Sequence, residues 1–270
     1  MIFILDGAFG TEIWAKTDDK LPVWRYNIEK PELVKEIHRS YIDAGSDIIY
    51  TNTFGANGPT VKRSPYSVKE VVEAGVRIAR EAVEGTGVKT ALSIGPLSEL
   101  LEPYGDLEED EATEIYEEQI GAGMETEGAP DIIVLETFMD IEMLKVAAAV
   151  ANKYEAKLFC SMSFEQSGRT MMGNSVDDMI NGLAGLRVDA IGLNCSLGPD
   201  KALPIISEFC EKSSVPVLFK PNAGLPTDTV ADADNFANDV CKAIGYGVKY
   251  AGGCCGTNPG YIRKLIEKVK

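Results

Sequence analysis

The stretch VKEVVEAGVRIAREAV, Val68 to Val83, followed closely by TALSI, Thr90 to Ile94, decides the fold class. In the first part, apolar residues recur every three or four positions, which predicts a helix with one buried face. The second part is a short, mostly apolar run, typical of a parallel strand that is covered on both faces. A helix that alternates with a buried strand is the repeating unit of α/β folds.

This unit recurs along the whole chain. The eight predicted strands are Ile2 to Asp6, Asp47 to Phe54, Thr90 to Ile94, Asp131 to Phe138, Leu158 to Phe164, Ala190 to Cys195, Pro216 to Pro221 and Tyr250 to Cys254. Eight strand–helix units in 270 residues predict a single-domain (β/α)8 TIM barrel over residues 1–270. An open doubly wound sheet is the main alternative. Its dinucleotide-binding fingerprint is absent after the first strand, because Gly7, Gly10 and Thr11 do not fit the spacing.

The amino-acid composition argues against several classes of partner and of location. The net charge of −16 and the pI near 4.6 argue against nucleic acid and anionic membranes as partners. The opening MIFILDGAFG lacks the basic region and cleavage site of a signal peptide, and no apolar run is long enough for a transmembrane helix. The six cysteines are irregularly spaced, unlike a secreted disulfide framework. We therefore expect a reduced, cytoplasmic protein.

A barrel predicts that functional side chains gather where the strands end. The predicted strand ends carry such residues: Asp6, Asn52, Glu136, Asn194–Cys195, Pro221–Asn222 and Cys254–Cys255. The sixth and eighth strands would thus bring Cys195 close to the adjacent pair Cys254 and Cys255.

The adjacent cysteines themselves indicate a metal. Their Cα atoms are about 3.8 Å apart, below the roughly 4.4 Å that a disulfide needs. Three thiolates with one open position suit Zn²⁺, and such a site holds a further thiolate well. The single histidine, His38, falls in a predicted helix, which argues against histidine-based catalysis. The residues therefore point to an enzyme that activates a thiol substrate, with the Asn222 amide oxygen as a hypothetical fourth ligand before the substrate binds.

Several motifs resemble one known family. They are DGAFGTEI at 6–13, TNTFGAN at 51–57, SIGP at 93–96, ETF at 136–138, GRTMMG at 168–173, GLNCSLGP at 192–199, PNAGLP at 221–226 and GGCCGT at 252–257. Together they resemble the homocysteine S-methyltransferases, most of all the homocysteine-binding barrel of cobalamin-dependent methionine synthase. The resemblance implies an enzyme that methylates homocysteine to methionine on a Zn²⁺ ion. It implies that Cys195, Cys254 and Cys255 hold that ion.

The resemblance also implies how the amino acid is held. Glu136 and Asp6 would bind the ammonium group, and the backbone around Phe9, Gly10 and Thr11 would bind the carboxylate. Because the eighth predicted helix is the last element of the chain, we expect no cobalamin module in it. The expected methyl donor is a separate methylcorrinoid (methylcobalamin) protein, with S-methylmethionine or a betaine as alternatives.

Other interpretations remain open at this stage. The glycine-rich turn after the eighth strand could bind a phosphate group, as in many barrels. The protein could also bind zinc or thiols without catalysis. Asp6 could fix the loop that follows it, Asn52 and Asn194 suit supporting roles, and Cys160, Cys210 and Cys241 suit core packing.

Overall fold

The computed structural model of the protein describes residues 1–224 and 231–269. Its strands are β1 (Phe3–Ile4), β2 (Ile48–Tyr50), β3 (Lys89–Ile94), β4 (Ile132–Phe138), β5 (Lys157–Met162), β6 (Ala190–Asn194), β7 (Val217–Lys220) and β8 (Tyr250–Ala251). From β2 to β8 each strand pairs in parallel with the next, and β8 pairs with β1. A single parallel bridge, Leu5 to Ile48, joins β1 to β2. The predicted (β/α)8 barrel is therefore confirmed.

Helices fill the intervals between the strands. They are α1 (Gly10–Ala15), α2 (Tyr26–Glu29), α3 (Pro31–Ala44), α4 (Gly58–Val61), α5 (Val68–Val83), α6 (Glu109–Met124), α7 (Ile141–Ala151), α8 (Val176–Gly182), α9 (Pro199–Lys212), α10 (Ala233–Tyr246) and α11 (Pro259–Val269). The helix predicted first, α5, begins at a reciprocal cap between Ser67 and Glu70. Within residues 1–224 and 231–269, no helix is both long and apolar enough to cross a membrane.

Six strands end one to four residues earlier than predicted, and β2 and β8 differ most. β2 ends at Tyr50 rather than Phe54, and β8 ends at Ala251 rather than Cys254. Past Tyr50, polar side chains make hydrogen bonds to neighbouring segments of the chain. The Asn52 side chain, for example, donates to the backbone carbonyl of Val23 and to the side chain of Asn27.

The interior of the barrel changes from apolar to polar along its axis. Its lower part is a buried apolar cluster of Leu5, Ile48, Tyr50, Ala91, Ile132, Val134, Phe159, Ala190, Leu218 and Tyr250. Because side chains on a strand alternate between faces, inward-facing positions recur every second residue. Toward the C-terminal end these positions become polar, at Ser93, Glu136, Ser161, Asn194, Lys220 and Cys254. This polar layer forms the floor of the candidate site.

Three aspartates fix the opposite end of the barrel. Each comes directly before an even-numbered strand, and its carboxylate accepts a hydrogen bond from a backbone N–H of the preceding strand. The pairs are Asp47 with Ile4 at 2.7 Å, Asp131 with Thr90 at 3.2 Å and Asp189 with Leu158 at 2.9 Å. Lys249 takes the equivalent position before β8. The repeat is visible in the sequence as an aspartate before a buried apolar run.

Replacing Gly192 tests how closely β6 and β7 approach each other. A Cβ at this position in β6 would lie 1.8 Å from the carbonyl oxygen of Leu218 in β7. Gly192→Ala should therefore force the strands apart and lower the free energy of unfolding by about 3 kcal/mol or more, as measured by denaturant titration. Gly245→Ala is the control, because a Cβ in that helix meets nothing within 4 Å. Equal unfolding midpoints for Gly192→Ala and wild type would contradict this account.

Candidate metal and substrate site

A cavity of about 700 Å³ opens at the C-terminal end of the barrel. It is walled by the loops after β1 and β2 and floored by the polar layer. All the predicted site residues except Asn222 line it: Asp6, Phe9, Gly10, Thr11, Glu136, Cys195, Cys254 and Cys255. A cavity of this size is typical of a small-molecule site and is large for an amino acid alone.

The structure brings Cys195, Cys254 and Cys255 together as a three-cysteine cluster. Their sulfur atoms all lie within 4.8 Å of one another, and none is in a disulfide. The Cys195 and Cys255 sulfurs are 3.8 Å apart. Two sulfurs at about 2.3 Å from one tetrahedral zinc ion would be separated by about 3.8 Å. The donor set and its spacing therefore fit a zinc ion.

A short segment at the end of β7 fixes the backbone of all three cysteines. The bonds run from Cys195 N to Lys220 O (3.0 Å), from Cys254 N to Pro221 O (2.8 Å) and from Ala223 N to Cys255 O (2.9 Å). Residues 220–223 thus make one hydrogen bond to each cysteine. The cluster depends on this segment as much as on the two strands that carry the sulfur atoms.

Local backbone strain also directs the sulfurs. Cys195 and Ser196 have φ angles of 63° and 56°, in the left-handed region that non-glycine residues rarely adopt. After the adjacent cysteines, Gly256 has a φ of 81°, and a Cβ there would lie 2.3 Å from the carbonyl oxygen of Gly224. The glycine therefore allows the chain to turn so that Cys254 and Cys255 face the same point.

The three thiols share one negative charge. Hydrogen bonds from Cys254 and Cys255 lower the pKa of Cys195 to about 3. The interaction with Cys195 raises the pKa of Cys255 to about 11 and raises that of Cys254 as well. At neutral pH the metal-free cluster therefore holds one thiolate and two thiols.

Asn222 lies beside this cluster. It is buried, and neither its amide nitrogen nor its amide oxygen has a hydrogen-bond partner among the described residues. A buried amide without a partner suits a group that serves a ligand. Of the PNAGLP motif, Leu225 and Pro226 lie outside the described residues.

Glu136 is the carboxylate that the cavity leaves accessible. Its Oε1 accepts a hydrogen bond from the Ser93 hydroxyl at 2.6 Å, and the Asn194 amide approaches Oε2 at 3.5 Å. Burial raises the pKa of Glu136, and the positive charge of Lys220 opposes that shift. Glu136 therefore has one oxygen with only a weak partner, on the side that lines the cavity.

Both oxygens of Asp6 have partners within the protein. Its Oδ1 is 2.7 Å from the Lys220 ammonium, and its Oδ2 accepts the Tyr50 N–H at 2.7 Å. Lys220 was missed by sequence reasoning, although inward alternation from Leu218 would have placed it in the polar layer. Burial would lower the pKa of Lys220, but the charges of Asp6 and Glu136 outweigh that effect and raise it. The lysine is therefore charged.

Asn194 supports both halves of the site. Its Oδ1 accepts hydrogen bonds from Thr137 N at 2.8 Å and from Ser161 Oγ at 2.7 Å. Its Nδ2 donates to Thr137 Oγ1 at 2.7 Å and lies 3.9 Å from the Cys254 sulfur. It thus links the end of β4, which carries Glu136, to the cluster.

The geometry argues against the phosphate interpretation. The N–H of Gly252 donates to Phe219 O at 3.0 Å, that of Gly253 to Asp6 O at 3.1 Å and that of Cys254 to Pro221 O at 2.8 Å. These amides are therefore not free to hold an anion. His38, the single histidine, is fully buried against Phe9, and burial lowers its pKa to about 3, so it remains neutral.

A comparison with known protein families identifies the family of this chain. The sequence profile of the homocysteine S-methyltransferase family matches residues 3–269. The chain belongs to the homocysteine S-methyltransferase family. This result confirms the resemblance that the motifs indicated.

The proteins similar to this chain include a methionine synthase and a homocysteine methyltransferase. Methionine synthase of Mycobacterium tuberculosis is 28% identical over 296 residues, which cover 99% of this chain and 24% of that protein. The chain thus spans about a quarter of the length of that relative. The oxidized and metallated forms of the homocysteine methyltransferase MmuM from Escherichia coli superpose with TM-scores of 0.86 and 0.85, each at 23% identity. Each match covers 99% of this chain and 96% of the MmuM chain, and the likeness supports the fold.

Removing one cysteine should abolish metal binding without unfolding the barrel. We expect Cys255→Ala to lose tight zinc binding, measured as zinc per chain after dialysis, because two thiolates and water bind zinc far more weakly than three thiolates. Its metal-free free energy of unfolding should stay within about 1 kcal/mol of wild type, since the apolar core is untouched. Cys241→Ser, on α10, is the matched control and should keep one zinc. Full zinc occupancy in Cys255→Ala would contradict the assignment.

Zinc uptake should release protons. Because the metal-free cluster carries one thiolate and two thiols, binding at neutral pH should release about two protons. Zinc affinity should then rise with pH by about a hundredfold per pH unit, as long as both thiols remain protonated in the free protein. Calorimetry in buffers of different protonation enthalpy measures the number directly. An affinity independent of pH between 6 and 8 would show that the cluster is not the site.

Proposed function

We propose that the protein binds Zn²⁺ through the three-cysteine cluster and catalyses methyl transfer to the thiol of homocysteine, forming methionine. The observation that carries this proposal is the convergence of three sulfur atoms in the wall of a cavity larger than an amino acid alone needs. A zinc ion held there would favour the thiolate form of a substrate thiol and keep it at the cavity wall.

The cavity offers groups for the rest of the amino acid. Glu136 would accept hydrogen bonds from the substrate ammonium, since one of its oxygens has only a weak partner. The N–H groups of Phe9, Gly10 and Thr11 would hold the carboxylate, because the first turn of α1 lacks intrahelical acceptors. The buried hydroxyl of Thr11 also lacks a partner among the described residues. Ammonium and carboxylate would then be held on different sides of the cluster.

Beyond binding the substrate, the protein needs to supply few further groups for the chemical step. The substrate thiol loses its proton to solvent, and its sulfur attacks the methyl carbon of the donor. The new S–CH₃ bond forms as the bond from the methyl group to the donor breaks, and that electron pair stays with the donor. Holding the thiolate in line with the methyl group is the main contribution of the site.

We propose a separate methylated corrinoid protein as the methyl donor. The similarity to methionine synthase supports it. The charge of the cavity supports it too. Arg25 and Arg63 line the cavity, and in the described lining the acidic residues are only Asp6 and Glu136. S-methylmethionine and betaines carry a positive onium centre, which Arg63 would repel; the charge of Arg25 is paired with Glu29 at 2.6 Å. The six free cysteines suit a reducing compartment, and we place the protein in the cytoplasm.

An assay with several donors tests the proposal. Zinc-loaded protein should form methionine from homocysteine and a methylcorrinoid, with little product from S-methylmethionine or betaine. Cys255→Ala should reduce the rate to background, while Cys241→Ser should keep it. Zinc binding with no product from any donor would contradict catalysis and favour a zinc- or thiol-binding protein instead.

A further inference from the structure

Lys220 is a buried cation that neither the sequence motifs nor the family resemblance assigns to a role. It is 3% exposed, and its ammonium lies 2.7 Å from Asp6 Oδ1 and 3.6 Å from the centre of the Tyr50 ring. The other Asp6 oxygen accepts the Tyr50 N–H. Lys220 and Asp6 thus pair with each other beside the Tyr50 ring, where β7, β1 and β2 end, while the Tyr50 hydroxyl has no hydrogen-bond partner among the described residues.

This arrangement gives the two carboxylates of the cavity different partners. Both oxygens of Asp6 have strong partners at 2.7 Å, one of them a full positive charge. Glu136 has one strong neutral partner, Ser93, and no ion-pair partner within the described chain. A charged ammonium entering the cavity would have to displace Lys220 to reach Asp6. At Glu136 it would meet an oxygen with only a weak hydrogen bond.

We propose that Lys220 is a specificity-determining residue: it occupies Asp6 as an internal partner and makes Glu136 the only carboxylate that binds the ammonium group of the substrate. This inference rests on the proposed function, since it concerns an amino-acid thiol as the acceptor. It departs from the expectation that Asp6 and Glu136 share the ammonium.

The charges near the two carboxylates also favour binding of the substrate ammonium at Glu136. The positive charge of Lys220 interacts with both carboxylates, most strongly with Asp6, so a second ammonium group is repelled more near Asp6 than near Glu136. Across the polar layer, the neighbours of Glu136 on β3 and β6 are the uncharged Ser93 and Asn194. The ammonium therefore binds on the β4 side of the cavity, and the substrate chain runs from there to the cluster.

The test compares two thiols that differ in the amino group alone. Homocysteine and 4-mercaptobutanoate share the thiol, the chain length and the carboxylate. Their dissociation constants are measured by calorimetry on the zinc-loaded full chain. The ratio of the two constants is the amino preference, which should be about 10- to 100-fold in wild type, as expected for a charge-assisted hydrogen bond.

Three variants separate the roles of the charged residues. Glu136→Gln should reduce the amino preference to about 1- to 3-fold, with the Lys220–Asp6 pair intact. Lys220→Met frees Asp6 and removes a repulsive charge, so the preference should rise about fivefold or more. Lys220→Met combined with Asp6→Asn should return it to the wild-type value, because asparagine still accepts the Tyr50 N–H. Glu142→Gln, an exposed glutamate on α7, is the control and should change nothing.

The outcomes distinguish this inference from the function on which it rests. An amino preference that survives in Glu136→Gln, or that does not rise in Lys220→Met, overturns the role of Lys220. Should the lysine variants fail to fold, Glu136→Gln alone still decides whether a single carboxylate selects the amino group. Tight and equal binding of both thiols to wild type overturns only this inference. Binding of neither thiol overturns the proposed function as well.

Discussion

The backbone hydrogen bonds between residues 220–223 and the three cysteines are the constraint on which the site depends. The sulfur atoms come from β6 and from the turn after β8, and the segment that follows β7 lies between them and bonds to each. Because parallel strands of a barrel all end on one face, a residue between two strands can hold both. The strained φ angles at Cys195 and Ser196 persist because this neighbouring segment fixes the backbone on both sides.

The charges of the site follow from the same geometry. The lower interior of the barrel is apolar, so every charge in the polar layer needs a partner or a ligand. Lys220 and Asp6 are partners of each other, and the Asn194 amide joins the end of β4 to the cluster. Glu136 has one weakly bonded oxygen, and the Asn222 amide has no partner among the described residues, so both are left for ligands. Buried polar groups without partners are therefore the clearest sign of what binds here.

Much of this could be predicted from the sequence, and the limits have physical causes. Strand and helix periods fixed the barrel, and strand ends located Glu136 and the three cysteines in one cavity. The ends of β2 and β8 were placed too late, because Thr51, Thr53 and Phe54 suit a strand as well as a loop, and the glycines after β8 carry no side-chain period. Lys220 was missed because a lysine normally indicates a surface, and only the alternation along β7 shows that it points inward. The partners of Asp6, Tyr50 and Lys220, lie 44 and 214 residues away in the chain, and local patterns do not reveal such contacts.

X-ray absorption at the zinc edge tests the central claim most directly, since it counts the sulfur atoms around the metal. The zinc-loaded protein should show three sulfur neighbours and one lighter atom. On addition of homocysteine the count should rise to four sulfurs at about 2.3 Å. A shell that still contains three sulfurs with homocysteine saturating would contradict the account, because the substrate thiol would then bind away from the cluster.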